Sequence, residues 1–358
     1  MANIDVLDAN SLTPRHVAAW REIQQDDSRF DSAFYSPKFT QLVAATRGGV
    51  EVAIISEQDK PVGFFPFQRG SGDVAQSVVG RLSEFHGVIA REGATWSPEA
   101  IMRASGLKAW HFDHVRASHT AFESHAWGTS DSPYIDLSAG FDAYCGAQHT
   151  SGSRQIKQAQ RKRRKLEREI GPLRFEFESI DLGVLRSLIE WKTQQHCRTG
   201  MLEVLRIPWV VELLRTLVDS PKIGCWGALS ALYAGEELLA VHLGVRNPKT
   251  LHIWFPTFNR DFEAYSPGVI LILELAKAAA ADGVERIDLG KGPERYKQSL
   301  KSGSIPLLEG SVDLRPAHRL VRRNWYELKT RIRSSPNRHY LEAPLLWTQK
   351  MRQRLAFR

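Results

Sequence analysis

The sequence predicts an α/β (α+β) fold in two lobes, with mixed, mostly antiparallel sheets flanked by helices and a basic helical extension at the C-terminal end. Three observations carry that expectation. The chain has 358 residues, long enough for two domains, since single cores of that size are unusual. Between residues 173 and 314, apolar runs of strand length alternate with stretches at helical spacing. Three of the strand runs follow one another across short turns, as antiparallel neighbours do. The apolar fraction of 42% and charged fraction of 25% exclude a disordered or fibrous class.

Residues 1–150 form the first lobe. Apolar runs at 50–56 and 62–69 flank the turn-like Gln58-Asp59-Lys60-Pro61 and read as a hairpin. Glycine, serine and histidine punctuate the rest. Thr150-Ser151-Gly152-Ser153 begins a linker, the basic run after it has helix-compatible composition, and Gly171-Pro172 stops that helix. The second lobe spans 151–315. Residues 173–178 alternate as a strand, and Leu182, Leu185, Leu188 and Ile189 repeat at helical spacing. A second helix enters at Pro208. Strands at 225–233, 238–245 and 251–257 are joined by Ala234-Gly235-Glu236-Glu237 and Arg246-Asn247-Pro248-Lys249. A helix opens after Pro267 and ends near Gly283. A strand at 286–289, a short helix at 294–300 and a strand at 307–314 complete the lobe. Residues 316–358 are the extension.

The net charge of +8 is unevenly placed. Residues 315–358 hold twelve Lys/Arg against Glu327 and Glu342, a net of +10, which leaves the remainder at −2. Within that remainder, residues 154–168 carry eight Lys/Arg against Glu167. Such segregation predicts local contact with anions and argues against a surface that coats nucleic acid. Cys145, Cys197 and Cys225 lie far apart without a CxxC, as expected in a reducing cytoplasm. Met1-Ala2-Asn3-Ile4-Asp5 has neither a basic nor an apolar leader region, so no signal peptide is expected. The most apolar run, 268–281, is broken by Glu274 and Lys277 and is too short to span a bilayer.

The segment Ser266-Pro267-Gly268 … Asp288-Leu289-Gly290-Lys291-Gly292-Pro293-Glu294-Arg295-Tyr296-Lys297 reads as loop, helix, short strand, glycine turn and helix. It brings a helix N-terminus, a phenol and an amine to one sheet opening. Helix N-termini bind phosphates through unpaired N–H groups and the positive dipole end, and a phenol or amine can move protons. Ser266, Pro267, Gly268 and Val269 would open that helix. Proline suits the first turn, and Gly268 allows close approach of an oxygen-rich ligand. The alternative is a plain helix start.

The order β-α-α-β-β-β-α-β-α-β resembles the GNAT acyltransferase fold. The wording Tyr265-Ser266-Pro267-Gly268, Ile287-Asp288-Leu289-Gly290-Lys291-Gly292 and Tyr296-Lys297 resembles the CelD/BcsL-type group associated with bacterial exopolysaccharide and cellulose synthesis. The likeness covers roughly residues 150–315. Trp191-Lys192 and Ser83-Glu84-Phe85-His86-Gly87 match more loosely. Relatives in that group, like the FemAB-type aminoacyltransferases, pair two GNAT-like lobes around a cleft. The resemblance implies an acyl-CoA such as acetyl-CoA as co-substrate, bound at Ser266, Pro267, Gly268 and Val269, and no metal. It implies Tyr296 as the acid that protonates the departing thiolate, the alternative being an aromatic packed on the sheet. Asp288 is a candidate base or substrate anchor, or else a structural acceptor. Lys297 and Lys192 are candidate substrate-binding groups, Lys297 otherwise being a solvated surface lysine. Glu84 and His86 are candidates for the base that frees the nucleophile, with His196 and His242 also available. One departure is plain: the usual pyrophosphate signature, a run of Arg/Gln and glycines, is reduced here to Ser-Pro-Gly.

Other chemistries find no support. The run from Gly290 lacks the third glycine of GxGxxG, and Gly283 to Lys291 has the wrong spacing for a P-loop, with Gly292 where that motif wants Ser or Thr. His111, His114, His119 and His125 show no zinc spacing, and no GxSxG elbow is present. The basic helix of Arg161-Lys162-Arg163-Arg164-Lys165 is read as a solvated face or a bridge between lobes. In the extension, Val321, Trp325, Leu328 and Ile332 form one apolar stripe among arginines, and Leu345, Leu346, Trp347, Met351 and Leu355 form another. These either lie on an anionic membrane surface or dock on the body. Some relatives respond to cyclic di-GMP, whose phosphates an arginine cluster can grip. The expectation is a cytoplasmic acyltransferase, peripheral at the inner membrane face, that acylates a sugar or lipid-linked saccharide. The rivals are an aminoacyl-tRNA-dependent transferase and a non-catalytic, membrane-associated or nucleotide-sensing component.

Overall fold

Short polar residues followed by proline start several helices of this chain. Thr13, Ser36 and Ser97 each precede a proline, and each turns its side-chain oxygen onto a backbone N–H of the first turn, satisfying a donor that the helix leaves unpaired. The computed structural model describes residues 2–334. Up to residue 150 it contains β1 (Asn3–Asp8), α1 (Pro14–Asp26), α2 (Pro37–Arg47), β2 (Val50–Glu57), β3 (Lys60–Gly70), β4 (Val74–Gln76), β5 (Ile89–Ala90), α3 (Pro98–Ala104), β6 (Ala109–Arg116), β7 (Ala126–Asp136) and α4 (Phe141–Thr150). Then follow α5 (Gln155–Glu169), β8 (Leu173–Glu176), α6 (Leu182–Thr199), α7 (Pro208–Val218), β9 (Trp226–Ala234), β10 (Glu237–Arg246), β11 (Thr250–Phe258), α8 (Pro267–Ala281), β12 (Arg286–Asp288), α9 (Arg295–Leu300), β13 (Gly303–Asp313) and α10 (Pro316–Ser334).

The expected hairpin is present. Gln58 and Asp59 both take positive φ, 48° and 61°, in the two-residue turn that matches strand twist. The strands form one thirteen-stranded sheet in the order β1-β2-β3-β4-β6-β13-β7-β12-β11-β10-β9-β8, with β5 on β3. The two halves of the chain interleave at its centre. Strand β7 runs antiparallel between β12, where Ile287 faces Ile135, and β13, where Leu307 faces Ser130. Strand β13 in turn lies against β6.

Alternation along the strands sorts the core onto two faces. Leu229 and Ala231 of β9 pack with α1, α2, α6 and α7, whereas Ala228 and Leu232 pack with α4, α5 and α8. A third cluster under α3 includes Phe65, Trp110 and Phe122. A buried ionic knot ties the first half to β12. Asp31 Oδ1 accepts from Arg286 Nη2 at 2.7 Å and from Arg116 Nη2 at 2.5 Å, while Asp288 Oδ1 accepts from Arg286 Nε at 3.0 Å.

Strands β11 and β12 run parallel for only three pairs, ending at His252 opposite Asp288. The chain then turns away through Gly290, whose φ of +75° suits glycine. Residues 253–258 of β11 continue without a partner strand on that side among the described residues, so the sheet opens. The extension docks on the body through Tyr326, which donates to Glu309 Oε2 at 3.2 Å and lies 5.9 Å from the Trp127 ring. Leu320, Val321 and Leu328 remain exposed. The second apolar group, Leu345 to Leu355, lies outside the described residues. Among the described residues, no helix is long and apolar enough to cross a membrane.

Candidate active site

The opening between β11 and β12 leads into a cavity of about 840 Å³. Its walls come from Lys192 and His196 of α6, the free stretch of β11, the first turn of α8 and the turn from Leu289 to Lys297, with Leu82 and Glu84 from the first half of the chain. Ser266, Gly268, Val269, Tyr296, Lys297, Lys192 and Glu84, scattered over more than two hundred positions of sequence, all line this one space.

The first turn of α8 differs from expectation. Ser266 takes φ +54° and makes no side-chain cap on its own helix. Its N–H donates to the Glu263 carbonyl at 2.9 Å, and the Val269 N–H donates to the Ser266 carbonyl at 3.1 Å. Pro267 has no N–H. A shared grip by all the amides of Ser266–Val269 is therefore corrected to a single one: Gly268 carries the amide of this turn left without a backbone partner among the described residues. Positive charge arrives from α5 instead, where Lys162 Nζ donates to Ser266 Oγ at 2.6 Å. The basic run is thus not simply a solvated face. It buries Ile156, Ala159 and Leu166, and Arg163 Nη1 pairs with Glu274 Oε1 of α8 at 2.6 Å.

Tyr296, half-buried, contributes to the cavity wall. Burial, together with Glu294 and Glu84, pushes its phenol well above the usual range, so it holds its proton. Lys297 is buried rather than solvated. Its Nζ donates to the Lys291 carbonyl and pairs with Glu294 Oε2, both at 3.2 Å. Lys192 Nζ donates to the Pro256 carbonyl at 2.9 Å, and burial brings its ammonium down to about 8.

Glu84 stands between two imidazoles. Its Oε2 is 3.3 Å from His114 Nε2 and 3.7 Å from His252 Nε2. On its far side, His114 Nδ1 lies 2.9 Å from Asp113 Oδ1. Burial opposes charge on both members of the Glu84–His114 pair, but their attraction prevails. Glu84 falls to about 2 and His114, also held by Asp113, rises to about 9. At neutral pH the arrangement is carboxylate, imidazolium, carboxylate. Burial lowers His252, and neither of its ring nitrogens has a hydrogen-bond partner among the described residues.

Three candidates stand apart from the cavity. His86 is buried with its Nε2 3.3 Å from the backbone N–H groups of Asp113 and His114. Burial holds its ring neutral, at about 3. Its Nε2 is committed to loop structure and its ring lies outside the cavity wall, so His86 is not placed to serve as the base. Asp288 is fully buried and ion-paired to Arg286; it is the structural acceptor, not a cleft base. His242 is likewise sealed inside the sheet. Among the described residues, no group of three His, Cys, Asp or Glu is arranged to hold a metal ion.

Comparison with known proteins bears on this architecture. Residues 153–298 match the family described as the acetyltransferase (GNAT) domain. FemX superposes with a TM-score of 0.58 at 10% identity, covering 89% of this chain and 99% of its own. The C-terminal domain of a protein named as a lysylphosphatidylglycerol synthetase, from Agrobacterium fabrum, gives 0.54 at 13%, covering 86% and 94%. A tandem GNAT protein from the clavulanic acid biosynthesis pathway gives 0.50 at 8%, covering 88% and 99%. The fold is GNAT-like. No curated protein matches in sequence. Behind the walls of the GNAT-like cleft, sequence reasoning passed over Lys162, which touches Ser266, and His114 and His252, which flank Glu84. Lys162 was hidden in a charge run and His114 in a histidine cluster read only for metal spacing. His252 carried no local signal.

Proposed function

We propose that this protein is an acyltransferase that moves an acyl group from a thioester donor, acetyl-CoA or another acyl-CoA, to an amine or hydroxyl of an acceptor. The supporting observation is the cavity at the sheet opening, with the Gly268 N–H and the Lys162 ammonium at the start of α8, and the Tyr296 phenol and Glu84 carboxylate in its wall. The donor phosphates suit the first pair by charge. The acceptor nitrogen or oxygen attacks the thioester carbonyl, the C–S bond breaks, and the thiolate takes the phenolic proton of Tyr296. Glu84, which lines the cavity, accepts a hydrogen bond from the attacking group, and the neutral His252 ring, buried behind it with Nε2 3.7 Å from Glu84 Oε2, takes up the proton passed on through that carboxylate. Holding donor and acceptor together contributes much of the rate. The sequence resemblance suggests a sugar or lipid-linked saccharide as acceptor.

A second reading keeps the fold and replaces the donor by aminoacyl-tRNA. It is favoured by the exposed Arg161, Arg164 and Lys165 on α5, the helix whose Lys162 touches α8. Calorimetric titration separates the two. Binding of acetyl-CoA, with thiol release when an amine acceptor is added, supports acyl-CoA transfer. Binding of aminoacyl-tRNA that weakens steeply with salt, without acetyl-CoA binding, replaces it.

A further inference from the structure

Three lysines line the cavity, and two of them have carboxylate partners. Lys291 pairs with Glu309 and Lys297 with Glu294. Lys192 has the Pro256 carbonyl alone, which leaves two of its three N–H donors unspent among the described residues. One turn along α6, on the same face by the i,i+4 spacing, His196 also lines the cavity. It is 6% exposed, and its Nδ1 has no hydrogen-bond partner among the described residues. A partly buried ammonium without a counter-ion is a disfavoured arrangement that an anion relieves. The same cavity holds the Glu84 carboxylate, which attracts a cationic or hydrogen-bonding amine.

We propose that Lys192, with His196 beside it, seats an anionic group of the acceptor, a carboxylate or a phosphate, so that the acceptor is an amine that also carries an acidic group. The amine end faces Glu84 and the acidic end Lys192. This assignment rests on the acyl-transfer reading, since it needs the donor to occupy the α8 end. The charged and titratable groups facing Lys192 are Glu294 and Lys297, beyond β12, and His196 on its own helix. An arriving anion supplies the missing counter-charge through charge-assisted hydrogen bonds. With the free ammonium at about 8, binding takes up a proton above that pH, and affinity falls about tenfold from pH 7 to pH 9.

The test is calorimetry on the full chain saturated with CoA, titrated with inorganic phosphate and separately with succinate in buffers of different ionisation enthalpy. Expected are binding of at least one anion, proton uptake at pH 8, loss of about tenfold in affinity in Lys192→Met, and retention in Lys192→Arg without the proton uptake. Phosphate binding alone assigns a phosphorylated acceptor, and succinate binding alone a carboxylic one. Absence of both, or equal binding in a Lys192→Met protein whose melting temperature matches the wild type, overturns the proposal. Anion binding that is seen without CoA and lost in its presence moves the site to the donor and overturns it as well. If CoA itself fails to bind, the acyl-CoA reading fails, and the same titrations without CoA still decide whether Lys192 holds an anion.

Discussion

Tyr296 and Gly290 show how single residues set the chemistry and the backbone of the cleft. The half-buried Tyr296 phenol keeps its proton at neutral pH and so has one to donate to a thiolate. Tyr296→Phe is therefore expected to lower kcat by roughly 100-fold with little change in donor affinity, and unchanged turnover would remove it from the mechanism. Gly290 has φ +75°, and a Cβ there would sit 3.4 Å from both Glu84 Oε2 and His252 Nε2. Gly290→Ala should cost about 1 kcal/mol of stability through its left-handed backbone and leave acyl transfer by the folded protein near wild type, since 3.4 Å is ordinary contact. Stability measured beside turnover checks both. The Glu84–His114 pair also has a pH signature. Glu84 lies below its ordinary value, so its contribution is full above pH 4.5 and is lost as the pH falls toward about 2. His114 lies above its ordinary value, so its contribution is full below pH 6.5 and is lost as the pH rises through about 9. Melting temperature should fall from pH 6.5 to 9 in the wild type, and His114→Gln should flatten that limb.

At the scale of elements, α5 is the helix whose role changed most between sequence and structure. Its composition announces a helix but not which lysine turns inward. Lys162 meets Ser266 across 104 positions of chain, a distance over which no local pattern carries information. Lys162→Ala should weaken acetyl-CoA binding about fivefold and reduce its salt dependence; an unchanged titration would return Lys162 to a surface role. The elements from 173 to 313 were legible because each carries its own period or turn chemistry, as the hairpin turns and Pro208 do. Strand β13 was read short at its start because Gly303 to Pro306 owe their extension to pairing with β7. Helices α1 and α2 were not read at all, although Thr13-Pro14 and Ser36-Pro37 are start signals. Their buried faces, Trp20 with Ile23 and Phe39 with Val43, are sparse against the polar remainder.

For the whole molecule, the ionic knot of Asp31, Arg116, Arg286 and Asp288 holds the first half of the chain to the strand from which the cleft opens. Removing one partner strands the others, so Asp31→Ala should destabilise by about 3 kcal/mol in urea unfolding. Since the sheet is continuous, that unfolding is expected as one transition, and two separated transitions would show that the halves melt independently. The interleaving of β7 has a practical corollary for anyone who dissects the gene. Residues 153–298, the part that matches the acetyltransferase domain, exclude the strand that seals β12. Expressed alone, such a fragment would offer bare ladder groups along a hydrophobic flank, an invitation to pair with its own copies, and its insolubility would say nothing about catalysis.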